Sequence, residues 1–75
     1  MILITGGAGF IGSHITDILI KNNYNCLVLD NLSTGKKENI NDKALFYNID
    51  IKDYNKLESI FSENNIEIVI HLAAQ

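Results

Sequence analysis

The 75-residue sequence has no proline, no tryptophan and a single cysteine, Cys26. One thiol cannot form an internal disulfide, and a cysteine-rich zinc or iron–sulfur site needs several thiolates, so the chain supplies none of these. Cys26 begins the apolar run Cys26–Leu29, which favours a buried core thiol. Such sparing use of cysteine is typical of a reducing compartment, and we expect a cytoplasmic location.

Long hydrophobic runs and clusters of positive charge are scarce as well. The first apolar run, residues 1–4, follows no basic segment and is too short for a signal peptide, and no run approaches the length of a membrane span. The net charge is -3, and Lys36 and Lys37 form the only basic pair. We therefore expect neither a membrane nor a nucleic acid as partner. A hydrophobic content of 47% predicts a folded globular chain.

Apolar and polar residues follow one another in blocks that predict alternating strands and helices. The predicted elements, in chain order, are a strand at 2–5, a helix at 10–22, a strand at 26–30, a helical turn near 36–40, a strand at 44–49, a helix capped by Asp53 and a strand at 67–72. Strands separated by helices predict an α/β fold with a parallel sheet. Right-handed crossovers then give the strand order 3-2-1-4.

Helical spacing also predicts which side chains face the sheet. In the first helix these are Ile11, Ile15, Ile18 and Leu19, and in the second they are Leu57, Ile60 and Phe61. Thr16 falls on another face of the first helix, away from the predicted core.

A glycine-rich loop joins the first strand to the first helix. It contains Gly7-x-Gly9-x-x-Gly12, and Gly6, Gly9 and Gly12 also recur at three-residue spacing. In dinucleotide-binding loops the first glycine permits the tight turn, the second lets the backbone approach a pyrophosphate, and the third allows close packing of the helix. The loop carries no lysine, so it is not a Walker A loop. An ordinary tight turn is the alternative interpretation.

An acidic residue lies where this kind of site needs one. Asp30 ends the second strand, 18 residues after Gly12, and its carboxylate could accept hydrogen bonds from the adenosine ribose hydroxyls, which favours NAD. A 2′-phosphate would be repelled there, although Lys36 and Lys37 leave NADP as the minority interpretation. A solvated strand end or a helix cap is the alternative for Asp30.

The ends of the third and fourth strands supply further candidates. Asp50 could hydrogen-bond the adenine amine while Ile51 packs on the ring, with a plain turn acid as the alternative. Leu72, Ala73 and Ala74 leave the fourth strand beside the first, where a dinucleotide crosses the sheet. Neither His14 nor His71 has cysteine or acidic co-ligands, so we expect both to be structural and expect no metal site.

Four stretches of the sequence together resemble the extended short-chain dehydrogenase/reductase family. They run from Thr5 to His14, from Asp30 to Gly35, over Asp50-Ile51 and from His71 to Gln75, and they stand in the right order across the full chain. The nucleotide-sugar epimerases and dehydratases are the most similar branch, and the Asp-Asn-Leu-Ser-Thr-Gly stretch leans toward the UDP-glucose 4-epimerases. The resemblance implies that residues 1–75 are the N-terminal part of a doubly wound, Rossmann-type NAD-binding domain. The chain would then stop after the fourth strand, before the remaining strands and a sugar-binding domain.

The same resemblance implies a set of contacts to NAD. The implied cofactor-binding residues are Gly6, Gly9, Phe10, Ile11 and Gly12 at the pyrophosphate, Asp30, Asn31, Ser33, Thr34 and Gly35 around the ribose, Asp50 and Ile51 at adenine, and Leu72, Ala73 and Ala74 toward nicotinamide.

The catalytic residues of the family are not found in this chain. The family uses a Tyr-x-x-x-Lys pair, yet Val28, Ile51 and Glu58 stand four residues after the three tyrosines. The resemblance implies an isomerase that interconverts UDP-glucose and UDP-galactose in galactose metabolism as a homodimer, through bound NAD and a transient keto sugar. Residues 1–75 alone would be inactive.

Two other functions stay open at this point, namely a nucleotide-sugar 4,6-dehydratase or reductase of the same family and a non-catalytic dinucleotide-binding module. We also expect the isolated chain to bind NAD weakly and to self-associate through the apolar edge at residues 68–70.

Overall fold

The computed structural model describes residues 1–32 and 36–72, and it has the predicted α/β architecture. Its elements are β1 (Ile2–Thr5), α1 (Phe10–Lys21), β2 (Cys26–Leu29), a 3₁₀ helix (Lys37–Asn39), β3 (Leu45–Tyr47), α2 (Tyr54–Glu63) and β4 (Ile68–His71). The four strands form one sheet in the order β3-β2-β1-β4, with all neighbours parallel. The fold class and the strand order are therefore confirmed.

The core lies on both faces of the two central strands. β1 and β2 are buried at every position, as expected for strands covered by a helix on each side. Side chains alternate between the faces. Leu3 and Leu27 pack with Ile60 of α2, whereas Ile2 and Ile4 pack toward α1.

The inner face of α1 differs from the predicted one. Ile11 and Ile18 are 65% and 61% exposed, whereas Thr16 is fully buried. Gly12, one turn before Thr16, approaches the glycine loop so closely that these two residues are turned toward the sheet. The Thr16 hydroxyl donates to the carbonyl of Gly12 at 2.8 Å, which satisfies it inside the core. The prediction was wrong for Ile11 and Ile18, while Ile15 and Leu19 are half-buried.

The predicted face of α2 is correct in part. Ile60 is buried and Leu57 is half-buried against the core, but Phe61 is 45% exposed and its predicted burial was wrong. Ile60 packs against β1 and β2, while Phe61 lies about 100° further around the helix and is turned more toward solvent.

The helix ends follow local side-chain chemistry. Asp53 caps α2 by accepting a hydrogen bond from the backbone N–H of Lys56 at 3.2 Å, as predicted. α1 ends at Lys21, and Asn23 takes a left-handed conformation with φ of 70°. Strands β2, β3 and β4 are one to three residues shorter than predicted. Within residues 1–32 and 36–72, no helix is long and apolar enough to cross a bilayer.

Candidate functional site

The carboxyl ends of the strands bring most of the predicted site residues to one edge of the sheet. Thr5 is aligned with Leu29 of β2 and with His71 of β4, and Leu29 is aligned with Tyr47 of β3. Because all strands are parallel, the residues that follow them meet at the same level. Gly6 and Asp30 extend the ladder there, as the N–H of Gly6 donates to Leu29 at 2.8 Å and that of Asp30 to Tyr47 at 3.2 Å.

Glycines of the loop are required first by the protein itself. Gly6 has a φ of 75°, a left-handed conformation that favours glycine. A Cβ atom on Gly12 would lie 2.3 Å from the carbonyl oxygen of Gly6, and one on Gly7 would lie 2.5 Å from Cγ1 of Val28. The clash at Gly12 cannot be relieved by a side-chain rotation, because its neighbour is backbone. The loop and the start of α1 are thus packed in direct contact.

Gly9 is different, because the chain alone does not demand a glycine there. A Cβ atom on Gly9 would meet only the carbonyl oxygen of Gly6, at 3.4 Å, which is ordinary contact. Gly9 is also the N-cap of α1 and offers no side-chain cap. A ligand that approaches the backbone at this point would explain a glycine that the packing leaves free to vary.

The first turn of α1 carries the donors for such a ligand. Among the described residues, the backbone N–H groups of Phe10 and Ile11 have no hydrogen-bond partner, and the first turn contains no acidic side chain. Free N–H groups and the helix dipole together favour a bound anion, and phosphate oxygens suit them. This arrangement fits the pyrophosphate of a dinucleotide.

Asp30 is held in place by the loops on both sides of it. Its Oδ2 accepts a hydrogen bond from the N–H of Ala8 at 2.9 Å, and its Oδ1 accepts one from the N–H of Leu32 at 2.7 Å. The second bond closes a turn in which Leu32 has a φ of 62°. Each carboxylate oxygen keeps a further lone pair, so Asp30 can brace the glycine loop and still accept from hydroxyl groups of a ligand. The bracing was not predicted from the sequence.

Ala8 connects the glycine loop to the segment at 36–39, where a helical turn was predicted but no contact with the loop. Its side chain is fully buried, and its carbonyl oxygen accepts from the N–H of Lys36 and from Nδ2 of Asn39, both at 3.2 Å. Asn39 lies 31 residues from Ala8, in a polar stretch with no motif. No local signal in the sequence could therefore identify this contact.

The predicted adenine residues lie beyond the end of β3 rather than in it. Asp50 is exposed, and its Oδ1 accepts from the N–H of Lys52 at 2.9 Å while its carbonyl accepts from that of Asp53. This matches the turn-acid alternative and leaves the second carboxylate oxygen without a partner in the described residues. Ile51 is half-buried beside it. A contact to adenine stays a prediction for both.

The end of β4 is tied to β1 by a small polar cluster. The N–H of Leu72 donates to both Oγ1 and the carbonyl of Thr5 at 3.0 Å. Nδ1 of His71 lies 2.7 Å from the same hydroxyl, so this histidine is hydrogen-bonded within the fold, as predicted. His14 is exposed, with its ring edge-on to that of Phe10 at 4.7 Å.

Five of the predicted site residues lie outside the described residues, namely Ser33, Thr34, Gly35, Ala73 and Ala74. Among the residues that are described, no group of three or more His, Cys, Asp or Glu side chains could hold a metal ion.

One depression on the surface lies apart from the predicted site. A depression of about 320 Å³ between β3 and α2 is lined by Tyr47, Asn55, Lys56, Ser59, Ile60 and Glu63. None of the predicted site residues lines it. At the glycine loop, the free N–H donors are the feature that favours a ligand.

Comparison with known proteins gives the family and three close relatives. Residues 2–75 match the NAD dependent epimerase/dehydratase family. A Methanocaldococcus jannaschii protein is 61% identical over 75 residues, which are 100% of this chain and 24% of that protein.

Two solved structures share the fold over 99% of this chain. A Thermotoga maritima UDP-glucose 4-epimerase, solved with UDP-glucose, is 59% identical with a TM-score of 0.96, and the match covers 24% of that chain. A Thermus thermophilus UDP-glucose 4-epimerase in complex with NAD is 46% identical with a TM-score of 0.93, and the match again covers 24%. The 75 residues thus span about a quarter of the length of the relatives that they match.

Proposed function

Because this chain belongs to the NAD dependent epimerase/dehydratase family, we propose that it forms the NAD-binding part of a UDP-glucose 4-epimerase. Residues 1–75 are then the first part of a doubly wound domain. The high identity to UDP-glucose 4-epimerases supports this assignment over a 4,6-dehydratase, a reductase or a non-catalytic module.

The proposal depends on two features of the glycine loop. The N–H groups of Phe10 and Ile11, which follow Gly9, are free among the described residues, and the loop also orients the carboxylate of Asp30 through the N–H of Ala8. Phe10 and Ile11 would donate to the pyrophosphate, and the remaining lone pairs of Asp30 would accept from the ribose hydroxyls. When bound, NAD supplies a hydride acceptor and donor for C4 of the sugar. The residues of this chain bind and orient it.

The other proposed contacts involve the adenine, the ribose and the nicotinamide. Asp50 and Ile51 would flank the adenine, and Asn31, Ser33, Thr34 and Gly35 would lie near the ribose. Leu72, Ala73 and Ala74 would line the path toward nicotinamide.

The activity, substrates and assembly belong to the whole protein. We propose reversible epimerisation of UDP-glucose and UDP-galactose in galactose metabolism, by a cytoplasmic homodimer. The acid–base groups and the sugar site would lie in the three quarters of the relatives' length that these residues do not span.

A titration with nucleotides tests cofactor binding by this chain. In ¹H–¹⁵N NMR spectra we expect NAD to shift the amides of Phe10 and Ile11. NADP should bind about tenfold more weakly or worse, because the Asp30 carboxylate repels a 2′-phosphate. The variant Asp30→Asn should reduce the difference in affinity between NAD and NADP. Equal binding of both nucleotides, or shifts confined to the depression at Tyr47, would contradict the proposed site.

An activity assay tests whether residues 1–75 bind the cofactor without catalysing the reaction. The 75-residue chain, supplied with NAD and UDP-galactose, should form no UDP-glucose, because it lacks the Tyr-x-x-x-Lys pair of the family. Turnover above that of a buffer control would show that catalysis does not depend on the rest of the relatives' length.

A further inference from the structure

Both polar groups of the Ala8 backbone are bound by residues far along the chain, and one of those partners has no assigned role. The N–H of Ala8 donates to Asp30, and its carbonyl accepts from Lys36 and from the side chain of Asn39. We propose that Asn39 is a positioning residue for dinucleotide binding, which holds the Ala8–Gly9 peptide in the orientation that the pyrophosphate needs. This inference rests on the proposed function.

The geometry of the 3₁₀ helix explains why two donors reach one carbonyl. The N–H of Asn39 donates to the carbonyl of Lys36 at 3.0 Å, which closes a 3₁₀ turn. Residues three apart in such a turn lie on the same side. The backbone N–H of Lys36 and the side-chain amide of Asn39 therefore point the same way, toward Ala8.

The Ala8–Gly9 peptide directly precedes the first turn of α1, which carries the free N–H donors. A peptide unit is planar, so fixing the Ala8 carbonyl also fixes the N–H of Gly9. That N–H donates to the carbonyl of Gly6 at 3.2 Å. The next two N–H groups along the chain, of Phe10 and Ile11, are the free donors described above. Asn39 thus sets their direction without touching the ligand.

The side chain of Asn39 makes few other interactions in the fold. Its side chain is exposed and belongs to neither hydrophobic cluster. The bond to Ala8 is the side-chain hydrogen bond found for it among the described residues. Removing the amide should therefore affect the orientation of the loop far more than the stability of the chain.

The test compares Asn39→Leu with Asn64→Leu in the 75-residue chain. Leucine has nearly the shape of asparagine but no donor. Asn64, directly after α2, is a matched control, because its Nδ2 also donates to a backbone carbonyl, that of Ile60 at 2.9 Å. Both hydrogen bonds are part-buried. The ligands are NAD and ADP, since ADP carries the pyrophosphate without the nicotinamide half.

Asn39→Leu should bind both ligands about three- to tenfold more weakly than the unaltered chain, which is the effect of one hydrogen bond. Its amide of Gly9 should also exchange with solvent faster in the absence of ligand. Asn64→Leu should change neither quantity. The melting temperatures of the two variants should be similar.

Unchanged affinity and unchanged Gly9 exchange in Asn39→Leu would overturn the inference, as would an equal loss of affinity in Asn64→Leu. If the unaltered chain bound neither NAD nor ADP, the proposed function would fail. The exchange rate of Gly9 would then still decide whether Asn39 holds the loop.

Discussion

Two glycines of the same loop are required for different reasons, and their alanine variants should separate folding from binding. Gly12→Ala places a Cβ atom 2.3 Å from backbone, so it should lower the free energy of unfolding by about 3 kcal/mol or more. Gly9→Ala meets only an ordinary contact at 3.4 Å. It should leave stability within about 1 kcal/mol yet lower NAD affinity at least about tenfold, because the methyl group occupies the path of the pyrophosphate.

Urea unfolding and nucleotide titration of the two variants measure these effects. Gly9→Ala with normal NAD affinity would mean that no ligand approaches the backbone there. A stable Gly12→Ala would mean that α1 can move away from the loop at little cost.

Cys26 makes the stability of the chain depend on pH in the alkaline range. The residue is 2% exposed, and burial raises the pKa of its thiol, while the positive N-terminus lowers it to a smaller extent. The unfolded thiol ionises near its ordinary pKa of about 8.5, before the folded one does. At neutral pH the thiol is protonated in both states, so it does not make the free energy of unfolding depend on pH. As the pH rises above about 9, the free energy of unfolding should fall.

Unfolding curves of the chain and of Cys26→Ala between pH 7 and 10 check this effect. The alanine variant should lose the part of the alkaline slope that belongs to the thiol. Identical slopes in both proteins would contradict the expected ionisation.

At the scale of the elements, hydrophobic spacing predicted where each helix lies better than which way it faces. Ile11 and Ile18 fit the helical period but point to solvent, while the polar Thr16 is buried. The orientation of α1 is set by the contact of Gly12 with the loop, and no hydrophobicity pattern reports a missing Cβ atom. In α2 the cap at Asp53 could be predicted from the sequence, because N-capping depends on neighbours within one turn.

That cap gives a measurable contribution to α2. Asp53→Ala removes the acceptor for the N–H of Lys56 and should lower the free energy of unfolding by about 1 kcal/mol. Asp53→Asn keeps a side-chain oxygen and should cost less than half of that. Thermal unfolding followed by circular dichroism measures both, and an equal loss in the two variants would assign the effect to charge instead of capping.

At the scale of the whole molecule, β4 is the outer strand at one side of the sheet. It pairs with β1, and within the described residues no strand pairs with its other side. Ile68 and Val69 are 54% and 50% exposed on its two faces. An apolar strand with unpaired backbone groups can pair with a second copy, so we expect the chain to self-associate as its concentration rises.

Val69→Lys should shift this equilibrium toward monomer, since a charge on the edge opposes pairing. Ile18→Lys is the control, because Ile18 is 61% exposed but lies on α1. Light scattering after size exclusion measures both variants. A chain that stays monomeric at every concentration, or equal effects of the two substitutions, would contradict association through β4.

The site could be predicted from the sequence where its parts form a motif or follow the end of a predicted strand. The glycines and Asp30 follow strands that end at one edge, so a topology argument brings them together. Asn39 is joined to the loop by a tertiary hydrogen bond, and such a contact has no sequence signature.

The Ala8 peptide also implies an order of events during folding. Its partners are 22 and 31 residues further along the chain, and closing segments of that length costs entropy before the contacts repay it. During synthesis, the glycine loop leaves the ribosome well before Asp30 and Asn39 do. The loop therefore cannot take its final shape until β2 has paired and the 3₁₀ helix has formed, and competence to bind a nucleotide arises late although its motif is made first.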